Sequence, residues 1–162
     1  MKPAIRCFVL PLLTAALAVL PLATATAGGI HIHNPCIPEA PPTAGAVAGY
    51  MELMNHGDRD RLLVGASSPD FANSMVHDIA HDGGMARMIH LNELKVPAGQ
   101  TVSFAPGGLH LMLVGPQRKL AKGEEVEVTL IFQDGGRTTA TFPVVGADTG
   151  RGGNHGHHHH HH

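Results

Sequence analysis

The chain has 162 residues, among them 14 His and 7 Met, with no Trp and a single Tyr. Its formal charge at pH 7 is −2, and its Lys and Arg are scattered, so it lacks the clustered basic patch that a nucleic-acid partner requires. Scarce aromatics and abundant imidazole and thioether direct attention to metal chemistry.

Lys2 and Arg6 precede an almost wholly apolar run from Cys7 to Leu20, and the small residues of "ATATA" follow. A charged start, an apolar middle and a small-residue cleavage site read as a secretory signal peptide over residues 1–27, cut after Ala27. The apolar run, broken by Pro11, is about 14 residues, short of the roughly 20 that a membrane span needs. Cys7 stands too early to be a lipid-attachment cysteine. The mature protein is therefore expected to be soluble and exported, with no membrane span after signal removal. Cys36 is then its only thiol, so no intramolecular disulfide can form and stability must come from packing.

Residues 28–145 are predicted to form one β domain. Its first stretch, "GGIHIHNPCIPEAPPTAGA", is rich in Pro and Gly and reads as an irregular arm or edge strand. Next come short alternating runs: "AVAGYMELMN", "RLLVGASS", "SMVHDIAH", "MARMIHL", "TVSFA", "LHLMLVG", "EVEVTLIF" and "RTTATFPVV". Turn signals such as "HGD", "DGG", "PAGQ", "PGG" and "AKGE" separate them, and seven or eight strands at this spacing predict an antiparallel sandwich or small barrel. In "EVEVTLIF" the core face is Val126, Val128, Leu130 and Phe132, and Glu125, Glu127 and Thr129 face water. In "GYMELMN", Met51 is expected in the core and Met54 on the opposite face.

Two segments carry the chemistry. In "SMVHDIAHDGGMARMIH" the Asp-Gly pair signals a two-residue type I′ hairpin. With Asp82 and Gly83 as the loop, His81 pairs with Gly84 and His77 stands directly opposite Met88; a loop at Gly83-Gly84 would shift the pairing and break this. In "GGLHLMLVG" the leucines 109, 111 and 113 take one face, leaving His110 and Met112 together on the other. A site of two imidazoles and two thioethers is soft and neutral and suits Cu(I), whereas Mg2+ or Ca2+ would require oxygen ligands. Thioethers need no deprotonation and form no disulfides, an advantage in an oxidising compartment. Met85 at the hairpin tip is a possible supplementary ligand. His31, His33 and Cys36 in the arm are a possible secondary metal site, and His56 in "NHGD" reads as a surface residue.

From Gly146 onward the chain is Gly-, Asp- and His-rich without periodicity, which predicts a disordered His-rich tail over 146–162. Its terminal run, His157 to His162, is either native or a purification tag. In either case His155, His157 and their neighbours form a nitrogen-rich set suited to Cu(II).

The pattern His77, ten residues, Met88, twenty-one residues, His110, one residue, Met112 resembles the copper signature of the PCu(A)C family of periplasmic copper chaperones. The resemblance extends through "PPTAGAVAGYMELMNHGDRDRLLVGASSP", "GGMARM", "LKVPAGQTVSFAPGGLHLMLVG" and "LAKGEEVEVTLIF". It implies a cupredoxin-like Greek-key β-sandwich and a Cu(I) carrier that is not an enzyme. It further implies delivery of copper to cytochrome oxidase assembly, in particular the dinuclear site, with an oxidase subunit or a thiol-containing copper-delivery protein as acceptor. Alternatives are a copper buffer or store, or delivery to another cuproenzyme. An electron-transfer cupredoxin is disfavoured, since a blue-copper site needs a Cys thiolate beside two His and Cys36 lies in the Pro-rich arm.

Overall fold

Burial with a period of two organises the long strands. In the run Glu125–Phe132, Val126, Val128, Leu130 and Phe132 are buried while Glu125 and Glu127 are exposed. The computed structural model describes residues 29–147, and within them the elements are ten strands. These are β1 (Ile30–Pro38), β2 (Ala46–Asn55), β3 (Arg61–Ser67), β4 (Phe71–Asp82), β5 (Met85–Leu91), β6 (Leu94–Val96), β7 (Thr101–Phe104), β8 (His110–Pro116), β9 (Glu125–Phe132) and β10 (Arg137–Val145). The expected signal peptide, and the tail beyond Ala147, lie outside the described residues.

The strands hydrogen-bond in the order β5-β4-β8-β2-β1-β10-β9-β3-β6, with β7 also paired to β2. This path folds over one core. Leu53, Leu111, Leu113 and Val76 from its first half are buried with Val126, Leu130, Phe132 and Phe142 from its second. Gly49 of β2 shows how closely the halves meet: a Cβ there would lie 3.7 Å from the ring of Phe142 and 3.5 Å from Leu111. Met51 belongs to the core, and Met54, Glu52, Tyr50 and Ala48 take the other face of β2.

Two expectations require correction. The first concerns the segment read as an irregular arm or edge. It is a nine-residue strand inside the path, antiparallel to β2 and parallel to β10. A register shift between His33 and Cys36, with Asn34 at φ 49°, absorbs the irregular "NPC" sequence without ending the strand. Ile30 and Ile37, buried at either end, hold it to the core.

The second correction is the hairpin register. The loop is Gly83-Gly84, not Asp82-Gly83, and Asp82 pairs with Met85. Both glycines sit at positive φ, 56° and 82°, the conformation that a type I′ turn requires at its two central positions. Glycine adopts it without the strain a Cβ would bring at Asp82. His81 therefore pairs with Ala86, and the residue facing His77 is His90.

Candidate metal centre

β4 lies between β5 and β8, and His77 lies at the crossing of both registers. It is directly opposite His90 on β5 and directly opposite His110 on β8. Directly paired residues share a face, with Cβ atoms about 5 Å apart, and residues two positions away on the partner are diagonal neighbours on that same face at about 7–8 Å. Met88 pairs with Ile79 and Met112 with Met75, so both are diagonal to His77, one on each side. The two-residue displacement of the hairpin moves Met88 along the strand but keeps it on the His77 face. A shift of one residue would have turned it away.

The three imidazoles form a row across the sheet. Ring centroids of His77 and His90 are 5.4 Å apart, those of His77 and His110 are 5.8 Å apart, and both pairs are edge-to-face. Leu111 and Leu113, fully buried, fix β8 from beneath. Beside the row, Met112 lies next to Ala48 of β2, a small residue that leaves its thioether room.

His110 is buried at 5% exposure, more enclosed than a plain two-faced strand would make it. Its Nδ1 is 2.9 Å from the Gly108 carbonyl. A carbonyl only accepts, so Nδ1 carries a proton, and the neutral tautomer this contact selects has its lone pair on Nε2. The turn that aims this carbonyl is tight: Ala105 N donates to Leu109 O and Gly108 N to Ala105 O, with Gly107 at φ 84°. His77 Nδ1 is buried with no hydrogen-bond partner. Burial holds the His77 pKa below the ordinary imidazole value, and His110 and His90 depress it further. A neutral imidazole with an unpartnered buried nitrogen fits a cation ligand. Met88, 49% exposed on the end strand β5, is the open side of the cradle.

The family model "Putative lipoprotein LpqE-like" matches residues 30–144. The copper-bound PCuAC domain from PmoF2 superposes with a TM-score of 0.61 at 27% identity, covering 74% of this chain and 94% of that domain. The chain belongs to the PCuAC family. A second solved structure, the Cu(I) form of DR1885 from Deinococcus radiodurans, is 33% identical with a TM-score of 0.59, over 74% of this chain and 81% of that one. A relative named as a lipoprotein, Lxx21020 of Leifsonia xyli subsp. xyli, is 30% identical over 137 residues, 82% of this chain and 81% of its own. The fold shared with these PCuAC domains is the cupredoxin-like β architecture expected from the sequence.

Within this PCuAC domain the other expected donors are dispersed. Met85 is 72% exposed and pairs with Asp82, so strand alternation puts it on the face away from His77 and Met88. Cys36 pairs with Tyr50 on β1–β2, beyond β8 from His77, and burial raises its thiol pKa. His31 and His33 lie farther along β1, opposite Met54 and Glu52. His155 and His157 lie outside the described residues. His90 reaches its place opposite His77 only through the Gly83-Gly84 turn, so the local sequence does not announce it.

Proposed function

We propose that this protein is an exported Cu(I) carrier in which His77, Met88, His110 and Met112 hold one copper ion as cargo. The observation that supports the reading is that these two imidazoles and two thioethers share one sheet face, with His110 directly opposite His77 and the two Met on its two diagonals. Likeness to the copper-bound PmoF2 domain and to Cu(I)-DR1885 supports it. Two thioethers favour the soft Cu(I) ion, and two neutral imidazoles add strength without charge. The site needs no deprotonated ligand, so uptake releases no proton from Cys.

The open side also supports carriage. Met88 is on the end strand and half exposed, so an incoming thiolate can displace this ligand first while His77 and His110 still hold the ion. The acceptor we infer is the dinuclear copper centre of cytochrome oxidase during assembly, reached directly or through a thiol-containing delivery protein. Residues 1–27 would direct export to the periplasm, and the lipoprotein name of a relative is consistent with export. No helix among the described residues is long and apolar enough to cross a membrane. Blue-copper electron transfer is disfavoured by the position of Cys36, which shares neither β4 nor β8 with the imidazoles.

Transfer tests the reading. Cu(I)-loaded protein is mixed anaerobically with the reduced, soluble copper domain of an oxidase subunit, the two are separated, and copper is measured in each. Movement of copper to the acceptor is expected. Retention by this protein at equal concentrations would contradict delivery to that acceptor.

A further inference from the structure

A second group of donors lies on the same sheet face, away from the cradle. On β1, His31 and His33 are two residues apart and share the outer face, each exposed. Opposite them on β2 stand Met54 and Glu52. His56, just past the end of β2, meets His31 edge-to-face with ring centroids 4.8 Å apart, and the His31 and His33 rings are stacked 6.3 Å apart. With metal–nitrogen bonds of about 2.0–2.1 Å, two imidazoles sharing one ion hold their centroids about 4.5–5 Å apart. The His31–His56 separation is already in that range.

The backbone beneath these rings is fixed. Asn55 is fully buried, and its amide donates to the carbonyls of Arg59 at 2.8 Å and Val96 at 3.0 Å while accepting from Gly57 N at 3.0 Å. His56 N donates to Gly29 O at 2.6 Å. Gly29 sits at φ +87°, and a Cβ on it would lie 2.8 Å from Gly57 N, so the start of β1 and the loop after β2 are locked together through glycine. A loop histidine held this tightly beside a strand histidine is preorganised at the backbone, and only side-chain torsions remain to adjust.

We propose that His31, His33 and His56 form a second metal site that takes Cu(II), separate from the Cu(I) cradle and independent of it. Three imidazoles with a carboxylate at Glu52 make a nitrogen-rich, borderline donor set, and such a set ranks Cu(II) above Zn(II). Among the described residues no three His, Cys, Asp or Glu side chains already close on a point. The site closes by rotation of exposed imidazoles, a fast motion of surface side chains. The two centres are well apart: β2 runs from Ala48, beside Met112, to Met54, beside His31, a span of six residues or about 20 Å.

Cu(II) is added stepwise, up to an excess, to the full chain already loaded with Cu(I), and paramagnetic broadening is mapped by residue in NMR spectra. Loss of the amide signals of Ile32, Met54 and Gly57 is expected. The triple variant His31→Ala, His33→Ala, His56→Ala should keep those signals, bind one Cu(II) fewer by equilibrium dialysis and take up Cu(I) as before. Zn(II), which is diamagnetic and is followed by chemical-shift change, should bind at the same residues with at least tenfold lower affinity. Broadening confined to the C-terminal histidines, unchanged Cu(II) stoichiometry in the triple variant, or tighter Zn(II) than Cu(II) would each overturn the assignment. Loss of Cu(I) binding in the wild-type chain would instead count against the carrier reading.

Discussion

His77 has three roles at once. It is the shared neighbour of the other three proposed ligands, its Nδ1 is buried without a partner, and its pKa is pushed down by burial, then by His110 and His90. Protons compete with Cu(I) for imidazole, and an ordinary imidazole begins to take them near pH 6.5. The lowered His77 pKa means that its affinity for Cu(I) should survive to lower pH than a free imidazole would allow, then fall. A competition titration across pH checks this, and a loss already complete at pH 6.5 would contradict it. The same shift sets the sign for the metal-free protein. Unfolded His77 takes its proton at its ordinary pKa and folded His77 does so only lower, so stability should decline as pH falls through about 6.5 and level below the folded pKa. Replacing His77 with Gln should flatten that part of the Tm-versus-pH curve.

The two thioethers predict a contrast between binding and folding. Met88 is exposed, so Met88→Ala should leave Tm nearly unchanged while weakening Cu(I) by more than the roughly 10- to 100-fold typical of lost outer-shell partners. Met112→Ala should weaken Cu(I) comparably at a small stability cost. Its neighbour Leu111, fully buried on the opposite face, should show the reverse. Leu111→Ala is expected to cost about 2–5 kcal/mol of stability, measured by denaturant unfolding, and any loss of copper affinity should follow from unfolding alone.

At the scale of elements, the β4–β5 hairpin decides where Met88 sits. Gly84 at φ 82° has open space around it, so Gly84→Ala brings no clash, only the left-handed backbone penalty of about 1–2 kcal/mol. That cost falls on a hairpin end remote from the core. Cu(I) affinity should drop while the unfolding midpoint of the domain moves little, and a fully retained affinity would show that Met88 does not depend on this turn. The hairpin also marks where sequence reading stops. Strands such as Glu125–Phe132 and Arg137–Val145 were readable residue by residue, because alternation is local. The choice between Asp-Gly and Gly-Gly loops was not, since both are good turn chemistry and the difference lies in φ at Asp82. β1 is legible only as an arm or edge strand for a related reason: Pro, Asn and Cys dilute its pattern, and its place inside the sheet rests on pairing with both β2 and β10. β6, three residues long, is too short to show any period. His90 facing His77 and His56 facing His31 are long-range consequences of these pairings, so no local spacing announces them.

At the scale of the whole molecule, the outer face of one half-sheet carries both donor sets, and the inner face carries the shared core. Separation of the two faces by strand alternation lets ligands be exchanged without disturbing packing. On the assignments proposed above, it would also separate oxidation states: Cu(I) at the thioethers and imidazoles of β4, β5 and β8, Cu(II) at the imidazoles beside β1, with the C-terminal histidines proposed as a further Cu(II) reservoir. Removal of the residues after Ala147 should therefore reduce, without abolishing, Cu(II) uptake and leave Cu(I) uptake unchanged, as measured by metal analysis after dialysis. The central claim is the ligand set of the carried ion, and X-ray absorption at the copper edge of the Cu(I)-loaded protein tests it most directly. Mixed nitrogen and sulfur scattering is predicted, with the sulfur contribution reduced in Met88→Ala and again in Met112→Ala. A first shell without sulfur, or one unchanged by both substitutions, would contradict it.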